Sequence, residues 1–393
     1  MPLWSPGVLG TPRVPPAPPA PRRPAVVTSP DPGSRRLHLA LEADGHGAHP
    51  AAAPAPGTEP GPGGIAPALR RAVAAAEAGG FTLVTFGDGP LPPRGGGWRP
   101  EAGTRAAFVA TLTDRIGLAP TLHTTVTEPF HLATQLASLD HASNGRAAWV
   151  VGAANDADAH ATIGSRPLDA GALHRETTDV VDAARALWDS WEDDAVVKDV
   201  PTGRFLDWHK VHHVDFEGAR FTVKGPLITP RPPQGQVVVL APDTLRLADR
   251  ADIALVTGPD TAAVASAAAA ARAAGAPLVL AEVEVLLDAG RPAAERLARL
   301  DDTAPWEPAG RLRHIGSAAG LVALLRELAG HVDGVRLHPA ELHTDLPLLT
   351  GQVLPALAAD GLHRPPRPGA TLRETLGLPR PANRFARAAT PTP

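Results

Sequence analysis

The regular alternation of short apolar runs with helical patterns is the feature that most constrains how this chain can fold. From Arg35 onward we identify about eight units in which a strand-like run precedes a helix-like segment. The predicted strands lie at residues 37–41, 82–86, 117–121, 147–151, 237–240, 253–256, 278–285 and 334–337. Repeated βα units predict a parallel sheet, and eight of them predict an α/β fold closed as a (β/α)8 TIM barrel. Functional side chains are then expected at the carboxyl ends of the strands.

The helix predictions rest on periodicity and on end signals. Glycines follow the helix predicted at 66–78, and a proline begins the helix predicted at 129–141. The helix predicted at 173–191 is amphipathic, because its apolar residues recur at three- and four-residue steps along one stripe. We therefore expect it to pack on the outside of the barrel. Two further helices are predicted at 106–115 and 261–274.

Proline content and loop length set the predicted segment boundaries. Residues 1–34 are proline-rich and are predicted to be a disordered tail, with a polyproline ligand for a partner domain as the alternative. The barrel is predicted at 35–381, and a second disordered tail at 382–393. Within the barrel, residues 193–235 are too long for a plain connection, so we expect an insertion with a hairpin at 214–223 over the barrel mouth.

Composition excludes several classes of function. The formal net charge of -4 and the pI near 6.5 provide no basic field for nucleic acid or an anionic membrane. The chain has no cysteine, which excludes disulfides, thiolate metal sites and thiol nucleophiles. No stretch has the length of a membrane span, and no secretory signal is visible. We therefore expect a soluble cytoplasmic protein.

The common nucleotide-binding and hydrolase motifs are absent from the sequence. No glycine-rich dinucleotide fingerprint, P-loop or nucleophile elbow occurs. Histidines follow predicted strand one (His46, His49), lie in the insertion (His209, His212, His213) and follow strand eight (His338), and several are expected to converge on the mouth. Their spacing does not match a known metal motif, so no metal site is predicted.

Several short motifs, in a consistent order along the chain, carry a resemblance to a known family. They begin at Leu139, Leu187, His213, Val223, Pro233 and Thr371, and read LDHASNGR, LWDSWEDD, HVDFEG, VKGPL, PQG and TLRETLGL. Their order resembles the nitrilotriacetate and dibenzothiophene-sulfone monooxygenase branch of the bacterial-luciferase-like flavin-dependent monooxygenases. The resemblance runs from about residue 37 to 381.

The resemblance implies an activity, a cofactor and partners. Members of this family hold reduced FMN at the barrel mouth and use O2 to oxidise a small organic substrate. The resemblance further implies a separate flavin reductase that supplies the reduced FMN, and a homodimer. No catalytic residue is assigned. Two alternatives stay open: a flavin-free barrel that serves as a binding or scaffold protein, and a deazaflavin-dependent reductase.

The resemblance also points to individual cofactor contacts. Asp88 matches the family's acidic flavin contact, with a turn or helix-cap carboxylate as the alternative. Thr124 and Thr125 match a hydroxyl pair that faces the flavin, whereas His123 replaces a small residue. His174 is the one polar residue left where the family has a histidine, an arginine and a tyrosine. Thr244 completes the implied contacts.

Two strand ends depart from the family pattern. After predicted strand four the chain has Gly152 in a segment where the family carries an amide and a hydroxyl toward the flavin. After strand five the family has a glycine turn that receives the phosphate, whereas this chain has Pro242 and Asp243. Proline removes an N–H group and aspartate adds a negative charge, and both changes oppose anion binding.

Overall fold

The computed structural model describes residues 36–55, 57, 62–92 and 99–386. The predicted tail at 1–34 lies outside these residues. The strands are β1 His38–Glu42, β2 Leu83–Phe86, β3 Gly117–His123, β4 Ala148–Gly152, β5 Val196–Asp199, β6 Arg204–Leu206, β7 Phe216–Glu217, β8 Thr222–Val223, β9 Val238–Pro242, β10 Ile253–Val256, β11 Leu278–Leu287, β12 Leu312–Gly316 and β13 Gly334–Pro339. The helices are α1 Pro62–Gly79, α2 Ala102–Ala110, α3 Pro129–Ala142, α4 Ala157–Ala161, α5 Ala170–Trp188, α6 Thr261–Ala273, α7 Ala293–Asp301, α8 Ala318–Leu328, α9 Leu342–Leu348, α10 Leu354–Ala359 and α11 Leu372–Leu376, with a π-helical turn Leu349–Val353 between α9 and α10.

Eight parallel strands close into a barrel, which confirms the predicted fold class. Their order around the barrel is β1, β2, β3, β4, β9, β10, β11 and β13, and β13 pairs again with β1. All eight coincide with the predicted strands to within a few residues. Each was recognisable because a strand inside a barrel is apolar on both faces. We call the end at which the strands finish the mouth.

A short C-terminal helix closes the other end of the barrel. Leu372 and Leu376 of α11 pack among the inward-facing residues of the strands. Thr371 and Glu374 form a capping box that starts this helix, and Gly377 ends it in a left-handed conformation. At Gly117 a Cβ would lie 2.8 Å from a methyl group of Leu372, so the close approach requires glycine. The floor of the barrel is therefore closed by packed apolar side chains.

Two buried tryptophans tie neighbouring elements of the fold together. Trp149 in β4 donates from Nε1 to the carbonyl of Leu122 at 3.0 Å, and Trp188 in α5 donates to the carbonyl of Ala133 at 3.0 Å. Both side chains are fully buried with their one polar group satisfied. The apolar stripe of α5 thus faces the protein core, and the helix packs on the outside of the barrel as predicted.

The structure corrects some predicted boundaries. Helix α2 begins earlier than the predicted 106–115, because Glu101 accepts hydrogen bonds from the amides of Gly103 and Thr104. The β5–β6 hairpin and β12 were not predicted. Strand β12 pairs with the last five residues of β11 and extends the wall of the barrel above β10.

The predicted insertion at 193–235 does contain a hairpin, β7–β8, but its contacts lie along α5. The amide of Ala219 donates to Asp179 at 2.7 Å, and Arg220 pairs with Glu176 at 3.3 Å. The hairpin therefore lies against α5, an outer helix. Its docking is consistent with the partly buried Phe216 and Phe221, which stack 5.8 Å apart and pack against the main core.

The start of the predicted C-terminal tail is bound to the barrel. Asn383 donates from Nδ2 to the carbonyls of Asp189 and Trp191, at 2.9 and 2.8 Å. Phe385 stacks on His212 with ring centroids 4.7 Å apart. Asn383 and Phe385, in the segment predicted to be a tail, therefore contact the barrel domain. Within the described part of the chain, no helix combines the length and the apolar character needed to cross a membrane.

Candidate functional site at the barrel mouth

The two sides of the mouth are built differently. On one side, strands β1, β11 and β13 present charged side chains that bind each other. On the other side, the ends of β2, β3, β4 and β9 present small polar groups that bind backbone. We call these the charged side and the rim.

Arg336 is the centre of the charged side. Its guanidinium bonds Glu282 at 2.7 Å and the hydroxyl of Thr85 at 2.9 Å, and it also pairs with Glu42. Thr85 in turn donates to Glu42 at 2.6 Å, and the amide of Gly87 donates to the other Glu42 oxygen. Burial alone would raise the pKa of Glu42, but the combined effects of Arg336, His338 and Thr85 outweigh it and the pKa falls to about 2. Glu42 is therefore ionised and fully bonded.

The same pattern continues along β11 and β12. Arg311 bonds Glu282 at 2.8 Å, and Arg313 bonds Glu284 at 2.8 Å while its guanidinium lies 4.0 Å from the ring centre of Trp306. Burial would raise the pKa of Glu282, but Arg336, His338 and Arg311 together hold that pKa well below its usual range. Strand β12 forms although part of its sequence is polar, because Arg311 and Arg313 pair with the carboxylates of β11.

His338 is the exception on the charged side. Its Nε2 is buried, has no hydrogen-bond partner among the described residues, and lies 3.7 Å from Glu282, beyond hydrogen-bond distance. Burial lowers the pKa of His338, against the opposing charge of Glu282. Two of the other histidines have carboxylate partners: His49 pairs with Asp301 of α7, and His212 pairs with Glu192. Among the described residues, no group of three or more potential ligands could hold a metal ion.

His123 holds the rim together. Its Nδ1 accepts from the amide of Ala154 at 3.0 Å, so Nε2 carries the proton and donates to the carbonyl of Asp88 at 3.0 Å. The imidazole lies over Gly152, where a Cβ would be 2.6 Å from Nδ1. Glycine is thus required at 152 because the histidine ring occupies the space.

Four of the six predicted cofactor contacts lie together at this rim, and the polar side chains among them are engaged by backbone. Thr124 donates to the carbonyl of Gly152 at 3.2 Å, and Thr125 donates to the carbonyl of Ala154 at 2.5 Å. Asp88 accepts from the amide of Ala102 at 2.5 Å, where α2 begins, and pairs with Arg99 at 3.2 Å. Asp88 thus binds the amide of the first residue of α2, next to the N-cap residue Glu101, and its role toward a flavin stays a prediction.

The other two predicted contacts, His174 and Thr244, lie at the turn after β9. We call residues 242–245 the β9 turn. His174 at the start of α5 is exposed and donates from Nδ1 to the carbonyl of Leu245 at 3.2 Å, and Thr244 is exposed. The charged side itself was not predicted. The sequence did indicate it, because charged residues alternate with apolar ones there. Glu282 and Glu284 alternate in one predicted strand, and Arg336 and His338 alternate at the end of another.

FMN is the cofactor that the resemblance implies, and the β9 turn is where the resemblance places its phosphate. Asp243 is partly buried at this turn. Pro242 has no N–H to offer, and the charge of Glu282 is close enough to raise the pKa of Asp243 further after burial has raised it. The missing N–H of Pro242 and the added carboxylate of Asp243 therefore both oppose phosphate binding at this turn.

A cleft of about 440 Å³ opens beside the rim. Its lining includes Asp88, Arg99, Thr121 and His123 at the ends of β2 and β3. The volume falls within the roughly 300–1,000 Å³ of small-molecule sites, and the location is the one at which barrel enzymes bind their substrates.

Comparison with known proteins assigns the fold to a family. The family model of luciferase-like monooxygenases matches residues 48–340, which include seven of the eight barrel strands and their loops. The chain belongs to the luciferase-like monooxygenase family. One of the component chains of pristinamycin IIA synthase, from Streptomyces pristinaespiralis, is 32% identical over 336 residues, 83% of this chain and 94% of that protein.

Two further comparisons differ in how much of the chain they cover. N-acetyl-S-(2-succino)cysteine monooxygenase of Bacillus subtilis (strain 168) is 42% identical over 141 residues, which are 36% of this chain and only about a third (32%) of that protein. A crystal structure of long-chain alkane monooxygenase superposes with a TM-score of 0.75 at 18% identity, and covers 88% of this chain and 96% of its own. At that identity, the superposition supports the family fold alone.

Proposed function

We propose that this member of the luciferase-like family is the oxygenating component of a two-component flavin-dependent monooxygenase. It would receive reduced FMN from a separate flavin reductase and use O2 to oxidise a small organic substrate in the cytoplasm. The observation that carries the proposal is the family match over residues 48–340, which includes the loops that form the mouth. The homodimer implied by the resemblance is part of the same proposal.

The rim and the cleft supply what such a reaction asks of the protein. The cleft beside His123 and Arg99 has room for a small molecule, and its wall is rigid because His123 ties three strand ends together. A bound flavin would supply the oxygen chemistry. Since Pro242 and Asp243 oppose phosphate binding at the β9 turn, no reaction step is assigned to the cofactor here.

An anaerobic titration followed by oxygenation tests the proposal. The purified chain is titrated with reduced FMN without air, then mixed with aerated buffer and a candidate substrate, and the oxidised product is measured by mass spectrometry. N-acetyl-S-(2-succino)cysteine, the compound named in one relative, is the first substrate to try. A product that depends on both flavin and chain supports the proposal. If neither FMN nor riboflavin binds the folded protein, the monooxygenase proposal fails. The same titration with a deazaflavin then separates the reductase from the flavin-free barrel.

A further inference from the structure

We propose that Ser165 is a nucleophilic serine, activated by His160, which takes the acyl group of a small activated ester at the barrel mouth. Both residues lie in the segment that follows β4 and carries the short helix α4. Asn155, the third member of the site, directly follows Ala154, whose amide binds His123 of the rim. The site uses none of the groups predicted to contact a flavin, so it does not depend on the proposed function.

The orientation of the Asn155 amide is fixed by the backbone of Leu168. Nδ2 of Asn155 donates to the carbonyl of Leu168 at 2.8 Å, and Oδ1 accepts from the amide of Leu168 at 2.8 Å. These two bonds cannot form if the oxygen and nitrogen of the side chain are exchanged, because each would then face a group of its own kind. Oδ1 of Asn155 therefore also faces Nε2 of His160, 2.9 Å away.

This contact determines which nitrogen of the neutral His160 ring carries the proton. An amide oxygen only accepts, so Nε2 is protonated and donates to it. Nδ1 then has a free lone pair, and it faces Oγ of Ser165 at 2.6 Å. The carbonyl of His160 is the other acceptor near this hydroxyl, but at 3.5 Å it competes weakly. The hydroxyl of Ser165 thus donates to a base whose tautomer is set by a third group.

A hydroxyl, a base and a group that orients the base form the arrangement of an activated nucleophile. Oγ of Ser165 attacks the acyl carbon while its proton passes to Nδ1 of His160, and the alcohol of the ester leaves with that proton. Water then attacks the acyl-serine, gives a proton to Nδ1, and the acid is released as Ser165 regains its hydrogen. His160 is buried, whereas Ser165 is only partly buried between the exposed residues Gly164 and Arg166, so a small ester has access to the hydroxyl.

Labelling with a fluorophosphonate, which reacts with activated serines and releases fluoride, tests the inference. The full chain is incubated with a fluorescent fluorophosphonate, the labelled residue is identified by mass spectrometry, and hydrolysis of p-nitrophenyl acetate is followed by absorbance. Ser165→Ala removes the nucleophile, and His160→Gln removes the base. Ser266→Ala is the matched control, because Ser266 is exposed on α6 and has no histidine partner among the described residues. Circular dichroism melting establishes that each variant is folded.

We expect the label on Ser165, at a rate well above that of Ser266. Ser165→Ala should abolish both the labelling of this segment and ester hydrolysis, and Ser266→Ala should change neither. His160→Gln should slow the labelling of Ser165 by about a hundredfold or more, the size of a general-base contribution. The inference is overturned if Ser165 reacts no faster than Ser266, or if His160→Gln leaves the labelling rate unchanged. The hydrogen bonds would then serve only to hold the loop together.

The positioning role of Asn155 is tested by loss and rescue. Asn155→Leu removes the acceptor that faces His160 and should slow the labelling of Ser165 by about tenfold or more. Asn155→Asp keeps an acceptor at that place and should restore most of the rate. If both folded variants label at the unmodified rate, Asn155 does not position the base and this part of the inference is overturned. Flavin affinity should be the same in every variant, so the result is independent of the proposed function.

Discussion

The two sides of the mouth satisfy their polar groups in opposite ways. On the charged side, Arg336 and its carboxylate partners satisfy one another, with the side chains of Arg336 and Glu42 only 8% and 11% exposed. At the rim, Thr124, Thr125 and His123 bond mainly to main-chain carbonyls and amides. A mutation on the charged side leaves a buried charge without its partner, whereas a mutation at the rim removes a hydrogen bond between neutral groups. The same change in polarity should therefore have a much larger effect on the charged side.

The largest effect is expected for Arg336→Met. The variant leaves Glu42 and Glu282 buried without their principal cation, so we expect a loss of about 3–5 kcal/mol in the free energy of unfolding. Denaturant unfolding followed by circular dichroism measures it. As a control, Arg326→Met removes an exposed pair with Asp360 and should cost only about 0–1 kcal/mol. Equal losses for the two variants would contradict the contrast between the buried network and an ordinary surface pair.

Acid unfolding gives the next largest effect. The pKa of Glu42 is about 2 in the folded protein, below its ordinary value of 4.5, so folding favours the ionised form. Its contribution, up to about 3 kcal/mol, is complete above pH 4.5 and is lost as the pH falls through 2. Glu42→Gln should therefore flatten the decline of stability between pH 4.5 and 2. The free energy of unfolding is measured by denaturant unfolding at each pH. If it declines equally in the variant and in the unmodified chain, Glu42 has its ordinary pKa in the folded protein.

At the rim, Gly152→Ala should cost about 1–3 kcal/mol, because the new Cβ falls within 2.6 Å of the His123 ring. Combining it with His123→Ala removes the obstacle, so the double variant should be more stable than the sum of the two single losses predicts. Gly351→Ala is the matched control, since no atom lies within 4 Å of a Cβ there. Additive losses would mean that the histidine ring does not set the requirement for glycine.

Strand positions were predictable from the sequence because burial inside the barrel leaves a local apolar signal. Strand β12 was not, since its residues form no continuous apolar run and its stability comes from the pairing of Arg311 and Arg313 with carboxylates of β11, far away in sequence. The first amide of α2, that of Ala102, likewise bonds Asp88, fourteen residues earlier, next to the local cap Glu101. Contacts of this kind are tertiary, so local patterns cannot show them.

The same limit applies to the candidate site. The resemblance identified which strand ends carry Asp88, Thr124, Thr125 and Gly152, and the structure places all four at one rim. What each side chain does there depends on His123, whose two ring nitrogens and bulk determine the use of the neighbouring groups. A pattern of residue types locates a group at the mouth, but it does not show whether that group is still available to a ligand.

The smallest effect, and the one that tests this availability directly, is expected for Thr125→Val. Its hydroxyl donates to the carbonyl of Ala154 at 2.5 Å, so the variant should lose about 1 kcal/mol of stability. Because the donor is already used within the protein, we expect flavin affinity, measured by fluorescence titration, to change by less than about threefold, equivalent to well under 1 kcal/mol. A tenfold weaker affinity in a folded variant would show that the hydroxyl turns from the backbone to the flavin on binding. The rim would then be a site that rearranges around its ligand, whereas the charged side, with its arginines committed to buried carboxylates, would remain fixed.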